Sequence, residues 1–157
     1  PEFNPSVIPF LCDSRLNTYE RFIEISGSKK AISFSALSMG NPHAVVCVED
    51  LANTAVKDIG EALSSHPDFT EGVNVGFMEI LSRDKIQLRV FERGAGETLA
   101  CGSGACAAVA VGRLLEKLNS EVVVNLPGGQ LTVFWDLSSS VIMKGPTKKV
   151  YEGIVEI

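Results

Sequence analysis

A cysteine followed by Gly-Ser-Gly and then by small apolar residues carries most of the chemistry legible in this chain. Cys101 precedes a segment, Ala105 to Leu118, that lacks proline and is rich in Ala and Leu. Arg113 and Lys117 fall near its end, where cations suit a helix dipole. The amides of Gly102, Ser103 and Gly104 are then first-turn donors without partners inside the helix. Such donors, with the positive end of the macrodipole, favour an anion: a ligand carboxylate, a phosphate or the thiolate itself. Glycine at 102 and 104 lets a ligand approach the backbone directly. A cysteine so placed is expected to have its pKa lowered from about 8.5 into a range of roughly 3.5 to 7.5, a usable base or nucleophile near neutral pH. A free cysteine is commonly just a small buried hydrophobe; the glycine flank and the upstream pair Glu92-Arg93 favour the chemical reading. Cys106 points about 140° away around the same helix and is read as core.

The remaining elements must hold that helix. From Ala105 to Val111 it is apolar all the way round, so it should be buried, with side chains small enough for a sheet to wrap closely. Pro1 to Pro9 reads as an extended segment. Tyr19 to Ile25 and Ala31 to Leu37 alternate apolar and polar residues around Gly27-Ser28-Lys29-Lys30, a hairpin signal. Ser38 to His43 is a turn leading into the apolar run Ala44 to Val48, read as a central strand containing Cys47. Asn53 or Thr54 is the expected N-cap of an outer helix that carries Val56, Ile59 and Leu63 on one face and stops at His66-Pro67.

A strand from Val75 to Leu81, a turn at Ser82-Arg83-Asp84 and a strand from Lys85 to Phe91 form a second hairpin that delivers Glu92 and Arg93. Adjacent strand residues face opposite ways, so those two are expected to do separate jobs rather than pair. Beyond the buried helix, Glu121 to Leu126, Gln130 to Trp135, Val141 to Lys144 and Val150 to Ile157 read as strands. Hairpins around one buried helix indicate an α+β domain whose curved, mostly antiparallel sheet wraps that helix, with one outer helix.

The 157 residues fit a single domain. With 45% apolar and 21% charged residues the composition is that of an ordinary globular protein, and no apolar run approaches the roughly 18 residues of a membrane span. No signal-peptide pattern is visible, so the expected location is the cytoplasm, with no membrane partner. A net charge of −5 argues against a nucleic-acid partner. The four cysteines show no Cys-x-x-Cys spacing and no Cys/His cluster, so no metal is expected. A chain beginning at Pro1 rather than Met is expected to be a fragment, a processed product or an incompletely observed chain.

Glu92-Arg93-Gly94-Ala95-Gly96-Glu97-Thr98 followed by Ala100-Cys101-Gly102-Ser103-Gly104 resembles, almost letter for letter, the second cysteine motif of the diaminopimelate epimerases. Ser38-Met39-Gly40-Asn41-Pro42-His43, Val73-Asn74-Val75-Gly76-Phe77 and Leu126-Pro127-Gly128-Gly129 agree in order and spacing, and the resemblance extends from the first residues to the last. That family has two pseudo-symmetric lobes, each giving one cysteine. The Asn-Gly-x-x-Cys motif of the first lobe does not occur here, so residues 1–157 resemble the C-terminal lobe, and residues 150–157 the strand that packs back against the absent N-terminal lobe.

The resemblance implies cofactor-independent epimerisation of LL-diaminopimelate to the meso form in lysine and peptidoglycan precursor biosynthesis. It also implies a homodimer for the whole protein. Two cysteines act on opposite faces of the α-carbon, so this chain alone is expected to be inactive. By the same resemblance Cys101 is a catalytic acid/base, and His43 and Glu92 bias the protonation of the thiols. Asn41, Asn74 and Arg93 hold the distal end of the substrate, Glu92 reads its ammonium, and the Gly102 and Ser103 amides grip the reacting carboxylate. Alternatives are a proline racemase or phenazine-biosynthesis isomerase of the same fold, a Cys-His acyltransferase or peptidase using Cys101 and His43, and a binding module that only captures a carboxylate.

Overall fold

The computed structural model of the chain describes residues 1–12 and 14–156. Its order is β1 (Tyr19–Ile25), β2 (Ser28–Ser38), β3 (Pro42–Val48), α1 (Val56–Ser64), β4 (Asn74–Ser82), β5 (Lys85–Glu92), β6 (Gly96–Thr98), α2 (Gly102–Leu114), β7 (Glu121–Leu126), β8 (Gly129–Phe134) and β9 (Ile142–Lys144). The nine strands make one mixed sheet in the order β1-β2-β3-β4-β5-β7-β8-β9, with β6 folded back on β5. Two of its pairings are parallel, β3 with β4 and β5 with β7, and the others are antiparallel. The fold is α+β, as the hairpin pattern implies.

The sheet separates two cores. Leu37, Val45, Met78, Leu88 and Val90 face α2, whereas Ala36, Val46, Phe77 and Val75 face the side of α1. Strands buried on both faces lose their polar alternation, as Ala44 to Val46 do, whereas Cys47 near the end of the same apolar run is exposed. Helix α2 touches β2, β3, β4, β5, β8 and β9, so the sheet curls around it. Ala105, Ala107 and Ala108 are fully buried there, as is every residue from Val109 to Val111. Small side chains allow that close wrap; a helix of Leu would hold the strands away.

Several expectations need correction. The β1/β2 turn is Ser26-Gly27, both with positive φ, so β2 already begins at Ser28, inside the stretch read as the loop. Pro1 to Pro9 is not extended throughout: the Val7 and Ile8 amides bond to Asn4 O in a turn that buries Ile8. Helix α1 is not capped by Asn53 or Thr54. Both bond instead to Asp50, and Ala55 holds the N-cap place without a side-chain bond.

Helix α2 stops at Leu114 rather than Leu118, because Glu116 turns left-handed (φ 59°) and Lys117 and Leu118 donate back to Gly112 O. The expected strand at Val150 to Ile157 is absent among the described residues. Val150, Tyr151, Ile154 and Val155 are each more than four-fifths exposed, and Ile157 lies outside the described residues.

Candidate active site

The mouth of α2 is built by two neighbouring segments. Cys101 is the N-cap residue, with extended backbone (φ −139°, ψ 107°), so its side chain turns across the first turn of the helix. Opposite it, β5 ends at Glu92, and the chain reverses through Arg93, Gly94 and Ala95 into β6, with Glu92 paired to Gly96 and Val90 to Thr98. The reversal uses left-handed glycines, Gly94 (φ 79°) and Gly96 (φ 82°), which is what the Gly-Ala-Gly spacing provides. Alternation puts Val90, Glu92 and Thr98 on the face toward α2. Arg89 and Glu97, on the other face, lock the two strands with a bidentate ion pair at 2.6 and 2.9 Å.

The result is a small polar cluster at the thiol. Cys101 Sγ donates to Glu92 Oε2 at 3.3 Å and lies 3.6 Å from Ser103 Oγ, while Glu92 Oε1 accepts from Thr98 Oγ1 at 2.6 Å. Cys101 is 5% exposed. Its pKa is raised, not lowered: burial is the largest cause and the Glu92 carboxylate adds to it, against the pull of the Ser103 hydroxyl and the Gly104 amide. The expectation of a depressed pKa therefore fails here. The helix-start donors are present, but desolvation of the thiolate outweighs them. Cys106 is buried core, and all four cysteines are free.

The second group of expected site residues lies at the ends of β3, β4 and β5. His43 and Asn74 are register partners across the parallel β3/β4 pair. Asn74 Nδ2 donates to Pro42 O at 3.0 Å and its Oδ1 accepts from the Arg93 amide at 3.1 Å, so this buried amide ties three strand ends together. One Nδ2 hydrogen remains for a ligand. His43 Nε2 bonds Asn41 Oδ1 at 3.0 Å. His43 is 1% exposed, and burial lowers its pKa to about 4 despite the Glu92 carboxylate pulling it up, so it is neutral at pH 7. The Arg93 guanidinium donates to Glu71 O and its stem runs beside Gly72; among the described residues its other donors have no hydrogen-bond partner. Glu92 and Arg93 thus have separate tasks, as their adjacency on a strand requires. Glu92 joins the two groups, touching Cys101 directly and His43 electrostatically.

Gly102 and Ser103 begin α2, with amides that have no acceptor inside the helix. A Cβ at Gly102 would meet Met143 Cε at 3.1 Å, so an apolar side chain from β9 borders the helix mouth. Thr98 stands in the motif quoted from the sequence but had no role assigned to it; the signal for one is the glycine-flanked reversal that brings β6 back beside Glu92. Among the described residues no group of three or more His, Cys, Asp or Glu side chains converges as a metal-ligand set, and no helix is long and apolar enough to cross a membrane.

The solved structure of a hydroxyproline epimerase from Agrobacterium vitis with bound trans-4-OH-L-proline superposes with a TM-score of 0.57 at 18% identity, over 80% of this chain and 46% of that one. A phenazine biosynthesis protein of the PhzF family from Bacillus anthracis gives 0.51 at 17% identity, over 78% and 40%. One from Enterococcus faecalis gives 0.50 at 18%, over 76% and 41%. These likenesses establish the fold, and the chain spans less than half the length of each of these proteins. The diaminopimelate epimerase family model matches residues 35–150, from within β2 past the end of β9. The chain therefore belongs to the diaminopimelate epimerase family.

Proposed function

We propose that this chain is one lobe of a cofactor-independent epimerase acting on diaminopimelate, with Cys101 as one of two acid/base cysteines. The observation that carries the reading is the Cys101 thiol at the N-cap of α2, bonded to Glu92 Oε2 at 3.3 Å beside open first-turn amides. An α-proton is hard to remove because the carbanion left behind must be stabilised. Fixed N–H donors at Gly102 and Ser103 suit the carboxylate onto which that charge spreads. Burial of the site strengthens these donors by excluding water.

A thiol with a raised pKa that donates to a carboxylate is held protonated, and so is ready to supply a proton. In the forward direction a thiolate on the complementary lobe takes the α-proton from one face, and the C–H electron pair passes to the carboxylate-stabilised carbanion. Cys101 then delivers its proton to the other face, leaving the α-carbon inverted and the two sulfurs with exchanged protonation. Arg93, Asn41 and the remaining Nδ2 hydrogen of Asn74 are the groups for the distal amino acid end, with Glu92 for an ammonium. The cytoplasm and a homodimeric whole protein belong to the same reading.

A Cys-His dyad would need Cys101 bonded to His43. Among the described residues Cys101 meets Glu92 and Ser103 instead, and His43 meets Asn41. The test is LL-diaminopimelate incubated in deuterated water with the chain assembled with its complementary lobe. One solvent deuterium in each meso product, lost with Cys101→Ala, supports the proposal. An acyl-enzyme adduct with no deuterium at the α-carbon overturns it.

A further inference from the structure

We infer that Thr98 is a positioning residue that sets the acid/base state of Cys101 by fixing which oxygen of Glu92 the thiol meets. Glu92 is a flexible side chain at a strand end, and a carboxylate there can turn away from a neutral thiol at little cost. Here one oxygen, Oε1, accepts the Thr98 hydroxyl at 2.6 Å, which leaves Oε2 to accept from Cys101 Sγ at 3.3 Å. The hydroxyl reaches Glu92 because β6 pairs with β5, bringing Thr98 opposite Val90 on the face toward α2, diagonal to Glu92. On the reverse face the Arg89–Glu97 pair fixes that register. The three-residue strand β6 thus has a task beyond lengthening the sheet.

The other groups that bear on this cluster come from each packed element. They are His43 from β3, which feels Glu92 and is neutral, Ser103 and Cys106 from α2, and Met143 of β9 at the Gly102 edge. None of them holds Glu92 Oε1, so Thr98 is the group whose loss should let the carboxylate swing.

The inference rests on the reading of Cys101 as an acid/base group, but it is tested without turnover. The chain is labelled with iodoacetamide across the thiol titration range, and the Cys101 peptide is quantified by mass spectrometry. Buried Cys106 serves as an internal reporter of folding. Thr98→Val should move the Cys101 profile to lower pH, with about three- to tenfold faster labelling at neutral pH, the effect of losing one hydrogen bond on the held carboxylate. Thr98→Ser, which keeps the hydroxyl, should restore the original profile, and Thr98→Val should add nothing in a Glu92→Gln background.

A Thr98→Val profile that superposes on the parent overturns the inference, as does a shift that persists with Glu92→Gln. If Thr98→Val exposes Cys106 to labelling, the decision passes to the unaltered chain. A slowly exchanging Thr98 hydroxyl proton in its NMR spectrum then supports the inference, and rapid exchange overturns it. A shifted profile in a protein that never epimerises diaminopimelate would uphold Thr98's role and count against the proposed function alone.

Discussion

Glu92 Oε2 accepts the Cys101 thiol proton at 3.3 Å, in a site where burial ahead of the neighbouring charge already disfavours the thiolate. The two effects act in the same direction and outweigh the helix-start donors. Replacing Glu92 by Gln removes the charge and keeps the shape, so Cys101 should titrate at lower pH and alkylate several-fold faster at neutral pH. Its pKa should still lie above that of an exposed thiol, because the larger cause, desolvation, remains. Peptide-resolved alkylation against pH checks both statements; an unchanged profile would mean that Glu92 does not reach the sulfur.

Gly104 sits beneath the thiol. A Cβ there would lie 3.2 Å from Cys101 Sγ and 3.1 Å from Val90 Cγ2, tighter than ordinary contact on both sides. Gly104→Ala is therefore expected to push the sulfur out of line. Under the proposed function, a displacement of that kind costs about tenfold to a hundredfold in turnover of the chain assembled with its complementary lobe. Stability should change less, since crowding of about 1–3 kcal/mol is partly offset by about 0.5–1 kcal/mol from removing a helical glycine. Steady-state kinetics and thermal melts on the same preparation separate the two effects.

Gly60 makes the corresponding contact on the outer face. A Cβ at Gly60 would stand 2.5 Å from Phe91 Cβ and 2.6 Å from its Cγ. The Phe91 Cβ is fixed by the β5 backbone and no rotamer moves it aside, so Gly60→Ala must lift α1 off the sheet. The expected loss is about 1–3 kcal/mol, which for a domain of this size lowers Tm by roughly 2–4 °C per kcal/mol. A melt that matches the parent would contradict the packing described for α1.

His43 makes folding acid-sensitive. Its pKa falls from 6.5 to about 4 on burial, so the unfolded chain binds the proton more readily. Stability is then complete above about pH 6.5 and is lost as pH falls toward 4. At about 1.4 kcal/mol per pKa unit, the full effect is on the order of 3 kcal/mol. Urea denaturation across that window should show the parent losing stability more steeply than His43→Gln. Parallel slopes would mean that His43 is not held neutral.

The geometry of the helix mouth was legible because it depends on local residues: small side chains along Ala105 to Val111, glycines at 102 and 104, and a strand ending in Glu92. Hairpins were legible from the alternation of β1 and β5 and the turn residues beside them, although the start of β2 was not. The parallel pairings were not, because nothing local records that β3 lies beside β4 or that β5 lies beside β7. Three-residue β6 is too short to show a period, and with it went Thr98. The ionisation of Cys101 was misjudged for a different reason: the sequence displays the donors that favour a thiolate but hides the burial that opposes them. Val150 to Ile157 alternates like a strand, yet pairing needs a neighbour, and the residues described there have none.

The proposed two-cysteine epimerisation is tested most directly by α-proton exchange in deuterated water with LL-diaminopimelate, comparing three samples. These are the 157-residue chain alone, the chain assembled with its complementary lobe, and that assembly carrying Cys101→Ala. Inversion with one deuterium in each product is expected for the intact assembly only, with a loss of about a hundredfold or more on Cys101→Ala. Epimerisation by the 157 residues alone, or an assembly whose turnover survives Cys101→Ala, would contradict the proposal.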